Sequence, residues 1–307
     1  MGRHLLLALA LIACSGALAA CGQGTASGGR LRVVATTTQV GDFVRQVGGR
    51  RVDVHQILRP NSDPHEYEPR PSDAKELTRA KLVFQSGGDL DQWLDGLIRS
   101  AGAGHKVIRL IDSVKTIKHA GRTDPHWWQD PRDAVLAVGA IRRALIRADP
   151  NGRALYTRNA GAYVARLRRL DAQIAACMSR VPAAQRKLVT THDALGYFAD
   201  RFHARIIGAL IPSLSSQAQP SARDTERLVR QIRRTGVKAI FPERSLNPRL
   251  EHAVSSEAGA KVGGALWADT LGPKGSTAAT YLQAMAANTS AMVSGMTGGA
   301  VSCRPRP

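Results

Sequence analysis

The sequence predicts an α/β protein of two lobes, each a parallel sheet flanked by helices, joined by one long rigid helix. Short β-branched runs alternate with amphipathic helical stretches through 31–150, and the alternation restarts through 183–307. Alternation at this spacing is the mark of βαβ units. Between these halves no strand signal occurs. Leu155, Ala162, Leu167, Leu170, Ile174 and Cys177 or Met178 recur at three to four residues, with one longer step, until Pro182 ends the run. A helix over 152–181 would be about 45 Å long, more than a small domain is wide, and is best used as a bridge. The division that follows is a lobe at 31–150, a linking helix at 151–182 and a lobe at 183–307.

In the first half, Leu31 to Thr37 is a β-branched run that reads as a buried strand. A helix through Val40, Phe43, Val44 and Val47 stops at Gly48-Gly49, and Arg51 to Leu58 alternates as a second strand. Ser72 is the expected N-cap of the next helix. Lys81 to Gly87 is a third strand, followed by a helix around Trp93 and Leu97, a strand at Lys106 to Ile111 and a helix at Arg132 to Arg147. In the second half, strands are expected at Lys187 to Thr191, Ala204 to Leu210, Val237 to Phe241 and Lys261 to Trp267. Helices at Ala194 to Phe202, Ser221 to Arg234 and Pro248 to Ala258 separate them, and a last helix carries Tyr281, Leu282, Met285 and Met292.

The N-terminus reads as a targeting signal. Leu5 to Leu18 is apolar and uncharged but too short to span a membrane. Small residues then precede Cys21, in a pattern that resembles a bacterial lipoprotein signal. The resemblance implies a signal peptide over 1–20, a lipid on the Cys21 thiol, and a chain held on the extracytoplasmic face of a bacterial cell membrane; an ordinary secretory signal is the alternative. Residues 21–30, rich in Gly, Ser and Thr, form a flexible tether. With Cys14 cleaved away and Cys21 acylated, Cys177 and Cys303 remain. Two cysteines in an oxidising compartment often pair, and we expect a disulfide here on that ground alone.

The chain of 307 residues is 43% hydrophobic with a formal charge of +19, which becomes +18 when Arg3 leaves with the signal. Its arginines are scattered along helices and not gathered beside aromatic residues, so the charge does not describe a nucleic-acid-binding protein. Attraction to an anionic membrane surface, or a solvated arginine-rich face, remains.

Chemistry concentrates in two related loops, Asp63-Pro64-His65-Glu66-Tyr67-Glu68-Pro69 and Asp124-Pro125-His126-Trp127-Trp128-Gln129-Asp130-Pro131. Proline fixes its own φ and pushes the preceding residue into extended geometry, so each histidine sits on a stiffened loop, as a metal site requires. His65, His126, His192 and Asp269 all fall just past the carboxyl end of an expected strand, the edge where open α/β sheets bind ligands. Three imidazoles and one carboxylate suit tetrahedral Zn²⁺, with Mn²⁺ or Fe²⁺ less well matched. His55, His105, His119, His203 and His252 lack this context and are read as surface or satisfied histidines.

The paired Asp-Pro-His loops, the mid-chain helix, the run Thr191-His192-Asp193-Ala194-Leu195-Gly196-Tyr197-Phe198 and the run Asp269-Thr270-Leu271-Gly272-Pro273 occur together and in order. In this they resemble the zinc- and manganese-binding lipoproteins of ABC importers, the cluster A-I substrate-binding proteins. The resemblance implies a non-enzymatic, monomeric protein that holds a metal between its lobes through His65, His126, His192 and Asp269. It also implies delivery to a membrane permease and its ATPase. Histidine rather than glutamate at 192 favours zinc over manganese in such proteins. Glu243 matches a further family position and either bonds to a ligand imidazole or serves as a helix N-terminal carboxylate. Many zinc members carry a long histidine-rich loop before the second Asp-Pro-His, whereas Lys115 to Thr123 is short with His119 alone. Gly272, Pro273 and Gly275 suggest a mobile loop over Thr270 to Ser276. A secreted zinc hydrolase is the competing class. Four protein ligands would leave no open position for its water, and no His-Glu-x-x-His helix, nucleophile elbow or phosphate loop occurs. An adhesin on the same fold is a third reading.

Overall fold

The computed structural model describes residues 29–101 and 106–306, so the expected signal peptide, Cys21 and most of the tether lie outside the described residues. The first half runs β1 (Leu31–Ala35), α1 (Thr38–Gly48), β2 (Val52–Gln56), α2 (Pro71–Arg79), β3 (Leu82–Gln85), α3 (Trp93–Ser100) and β4 (Lys106–Arg109). A two-residue hairpin, β5 (Lys118–His119) and β6 (Arg122–Thr123), and α4 (Pro131–Ala148) complete it. Strands β2-β1-β3-β4 form one all-parallel sheet.

After α5 (Arg153–Ser179) the second half runs β7 (Lys187–His192), α6 (Gly196–Phe202), β8 (Arg205–Ile211), α7 (Ala222–Thr235), β9 (Ala239–Ile240), α8 (Arg249–Ala258), β10 (Lys261–Val262) and α9 (Tyr281–Thr297). β7 pairs with β8 and β9 with β10, both in parallel. A single parallel bridge from Thr190 to Phe241 joins the two pairs, giving the order β8-β7-β9-β10. Each half therefore places its first strand between its second and third, and the carboxyl ends of its strands share one edge.

Several element ends differ from expectation for local reasons. β1 stops at Ala35 because Thr37 turns to cap α1, its Oγ1 accepting the Val40 N–H at 3.2 Å. Arg70, not Ser72, is the N-cap of α2. Pro71 takes the first helical position, which lacks a required donor, and the Asp73 carboxylate accepts the Arg70 N–H at 2.8 Å. α6 begins at Gly196, two residues later than expected. β10 is cut to two residues because Gly263 passes where a Cβ would lie 2.9 Å from the Phe241 ring, and pairing resumes only at Leu266 with Glu243.

The linking helix α5 is 27 residues long, about 40 Å. It packs on α1 and α4 of the first half and on α6 and α9 of the second. Tyr156 and Tyr163 occupy its buried stripe with Leu167, Leu170 and Ile174, while Leu155 is only half-buried and Ala162 is exposed. Periodicity read from aliphatic residues alone had assigned those two to the core. One apolar core runs through both halves. Phe43 on α1 meets Tyr281 on α9 edge-on at 4.9 Å and Tyr163 on α5 at 6.2 Å. Beside it the buried Asp42 carboxylate accepts the Tyr281 N–H at 2.9 Å, which holds the start of α9 against α1. The division at 151–182 remains our proposal, for halves fused by this shared core.

Cys177, near the end of α5, faces Cys303 in the tail with Cα atoms 5.5 Å apart and sulfurs at bonding distance. A disulfide here closes a loop spanning 126 residues. We expect thiol titration of the denatured, unreduced chain from residue 21, carrying Cys21→Ser, to find no free thiol and to find two after reduction. Two reactive thiols before reduction would contradict the pairing.

Candidate metal centre

His65, His126, His192 and Asp269 converge although they are far apart in sequence. Each offers one ligand atom, and those atoms all lie within 4.8 Å of one another. His65 follows β2, and His126 follows the β5–β6 hairpin. Asp269 follows the stretch that pairs at Leu266. His192 differs from expectation in being the last residue of β7 itself. His126 and His192 are fully buried, and Asp269 is 3% exposed.

Each loop is fixed by bonds that proline alone would not supply. Asp124 Oδ1 accepts the His126 backbone N–H at 2.9 Å and lies 2.8 Å from its ring Nδ1. Asp63 repeats the first of these bonds toward His65, also at 2.9 Å, and its other oxygen accepts the Ser216 hydroxyl of the second half at 2.5 Å. The Tyr197 hydroxyl donates to the Asp124 carbonyl at 3.0 Å. Gly196 lets α6 approach that loop, since a Cβ there would lie 2.5 Å from Asp124 Oδ2. Behind His192, Glu243 Oε1 lies 2.6 Å from Nδ1 and accepts the backbone N–H at 3.1 Å. Glu243 is held in turn by its own N–H to Thr191 Oγ1 at 3.1 Å. On Asp269's side, the Ala268 carbonyl accepts from Trp128 Nε1 at 3.0 Å and Gln129 Nε2 at 2.9 Å.

Sequence reasoning picked out the four converging residues and Glu243 but missed Asp63, Asp124, Thr191 and Gln129 in these supporting roles. The aspartates were legible in principle, because both Asp-Pro-His loops contain one. The stretch after Asp269, expected as a loop over Thr270 to Ser276, differs from expectation in its first part. Thr270 to Gly272 is buried, with Leu271 N–H bonded to Thr38 Oγ1 at 2.8 Å and Thr270 Oγ1 accepting the Asn61 N–H at 3.0 Å. Contacts across the halves override the glycine and proline content, and only 273–275 forms an exposed tip. His119 is half-exposed and stands outside the cluster, with Nε2 3.3 Å from Asp193 Oδ2.

The two carboxylates set the electronics of the centre. Paired with Asp124 and Glu243, both Nδ1 atoms serve as donors, so neutral His126 and His192 each turn a bare Nε2 lone pair inward. Those two nitrogens are 3.3 Å apart. Asp269 Oδ2 lies 3.2 Å from His192 Nε2 and 3.3 Å from His65 Nε2. His65 Nε2 and Asp269 Oδ1 are buried without any hydrogen-bond partner. Acceptors crowded this closely without donors repel one another unless a cation sits among them. Protons meet that demand in part. Burial pushes the His126 pKa down, but the charges of Asp269 and Asp124 outweigh it and raise it to about 9. The His192 pKa is also raised, burial being overcome by Glu243 and Asp269. Asp269 is held well below the usual carboxylate range, burial being outweighed by His126 and His192.

Residues 33–295 match the family described as zinc-uptake complex component A, periplasmic, or ZnuA. The chain belongs to the ZnuA family. Manganese-binding lipoprotein MntA of Halalkalibacterium halodurans is 30% identical over 297 residues, covering 95% of this chain and 96% of its own. SloC of Streptococcus mutans serotype c, named a metal ABC transporter substrate-binding lipoprotein, is 29% identical over 306 residues, covering 94% and 98%. The periplasmic zinc-binding protein TroA of Treponema pallidum superposes with a TM-score of 0.83 at 25% identity, covering 87% of this chain and 99% of that one. As a ZnuA-family protein the chain is a substrate-binding protein of metal ABC importers, not an enzyme. No helix among the described residues is long and apolar enough to cross a membrane.

In this ZnuA-family chain the Glu243 carboxylate fixes both the tautomer and the orientation of His192. Glu243→Gln keeps the shape and an amide oxygen that can accept both N–H groups, but removes the charge that makes the His192 imidazole a stronger ligand. We expect it to weaken metal binding by about 10- to 100-fold, measured by competition with a chelating dye. Unchanged affinity would mean that the charge of Glu243 does not tune His192 as a ligand.

Proposed function

We propose that this protein captures Zn²⁺ as cargo through His65 Nε2, His126 Nε2, His192 Nε2 and one Asp269 oxygen. It then delivers the ion to a membrane permease driven by its ATPase. In this reading the protein acts as a monomer, lipid-anchored through Cys21 on the extracytoplasmic face. The carrying observation is the buried cluster of acceptors, three imidazole nitrogens and a carboxylate, whose mutual repulsion a divalent cation relieves.

Donor chemistry supports zinc. Tetrahedral Zn²⁺ takes three imidazoles and a carboxylate readily, whereas Mn²⁺ favours more ligands and more oxygen among them. Manganese in the name of MntA and zinc in the name of TroA belong to those proteins; the choice here rests on His192. Four protein donors leave no place for a catalytic water, so nothing favours the hydrolase reading. Release is more readily local than global. The halves share a core, and the Asp269 segment is stitched to α1 through Thr38 and to the first Asp-Pro-His loop through Asn61. Breaking those bonds would swing one ligand away while three histidines stay in place.

Two measurements test the reading. Elemental analysis of the purified chain should find about one zinc, and His126→Ala should lower the affinity by at least two orders of magnitude. Manganese bound more tightly than zinc in direct competition would reverse the metal assignment. Affinity should also depend on pH with a definite sign. Protons occupy His126 below about 9 and His192 is shifted the same way, so binding expels protons. Zinc affinity should therefore fall as pH drops, roughly one decade per unit for each imidazolium displaced.

A further inference from the structure

The outer face of α5 is cationic without compensation. From Pro150 to Leu170 the sequence holds Arg153, Arg158, Arg166, Arg168 and Arg169 and no aspartate or glutamate. All five are exposed, as is Arg180 at the end of the helix. None of these guanidinium groups has an ion-pair or hydrogen-bond partner among the described residues. The two carboxylates next along the chain are already taken: Asp149 by Arg51 at 2.7 and 2.8 Å, and Asp171 by Arg201 at 2.9 and 2.6 Å.

Spacing turns this charge into a line. Arg158, Arg169 and Arg180 are eleven residues apart, close to three full turns, so they recur on one side of the helix about 16 Å apart. That side is opposite the buried stripe of Tyr156, Tyr163, Leu167 and Ile174. Exposed positions between the arginines are small, such as Ala162, Ala165 and Ala176. With no large apolar side chain to insert, the face can adsorb to a charged surface but not sink into it.

The tether meets the body at the same end of the helix. Gly29 and Arg30 line a surface hollow with Ala148, Asp149 and Asn151, just before α5 begins, and Arg50 adds a further charge there. From Cys21 to Gly29 the chain can span at most about 28 Å. A lipid at Cys21 therefore keeps Gly29, in the hollow beside the start of α5, within that reach of the bilayer.

We infer that the arginine face of α5 is a membrane-docking surface, lying flat against anionic phospholipid headgroups beside the anchor. Because α5 packs on both halves, docking holds both level with the bilayer, and the approach is electrostatic and therefore screened by salt. The inference uses the tether of the proposed function only for reach, and its test removes the lipid.

The test uses residues 21–307 with Cys21→Ser and sedimentation with vesicles of equimolar phosphatidylglycerol and phosphatidylcholine, or of phosphatidylcholine alone. We expect binding to the anionic vesicles only, abolished at about 0.5 M salt, where screening acts within roughly 4 Å. Replacing Arg158, Arg169 and Arg180 together by glutamine should cut partition by on the order of 100-fold, about fivefold per arginine. A charge-matched control, Arg227, Arg230 and Arg234 to glutamine on α7, should change it by about threefold or less. Equal losses in the two triple variants would mean that net charge, not this face, drives adsorption, and would overturn the inference. So would binding to neutral vesicles, or an α5 variant that keeps vesicle binding while losing soluble polyphosphate, which would assign the face to an anionic polymer. Zinc content of the variants is read separately, so failure of docking and failure of the metal assignment are distinguishable.

Discussion

Everything at the centre of this protein depends on holding four electron-pair donors together in a buried place. His126 Nε2 and His192 Nε2, 3.3 Å apart, and the Asp269 oxygens would separate if they were free to do so. The fold prevents this by fixing each ligand from behind. Asp124 grips His126 by ring and backbone, Glu243 grips His192 in the same two ways, and the Ala268 carbonyl before Asp269 takes two side-chain donors. Burial makes each of these bonds stronger and each unrelieved repulsion worse, because the local dielectric is low. Selective demand for a small cation follows from that combination.

The architecture serves the same constraint. Two sheets with the same strand order bring loops from their carboxyl edges toward one point, and the bonds from Asp63 to Ser216 and from Thr38 to Leu271 cross between the halves there. α5 and the Phe43, Tyr163 and Tyr281 cluster fix the distance between the sheets. A centre built across two bodies normally invites hinge opening. Here the shared core and the Cys177–Cys303 contact oppose it, which supports the proposal that release is local.

Much of this was legible in the sequence because the signals were local and repeated. Paired Asp-Pro-His loops, the period of α5 and a histidine closing a β-branched strand each report on a few neighbouring residues. What escaped depends on distant contacts. Gly272 and Pro273 suggested mobility, yet Leu271 is held by Thr38, more than two hundred residues away in the chain. Tyr156 and Tyr163 take the buried places expected of Leu155 and Ala162 on α5, Tyr163 against Phe43 of α1 and Tyr156 with its hydroxyl on Asp149 at 2.6 Å. Asp124 was overlooked because proline explained the stiffness of its loop well enough, although only the carboxylate explains the tautomer of His126.

The central claim is that three imidazole nitrogens and one carboxylate oxygen together bind the metal. Zinc K-edge X-ray absorption on the loaded protein tests it most directly. The account predicts a four-coordinate site at about 2.0 Å with the multiple-scattering signature of three imidazoles. A six-coordinate, oxygen-dominated shell with one imidazole or none would contradict it.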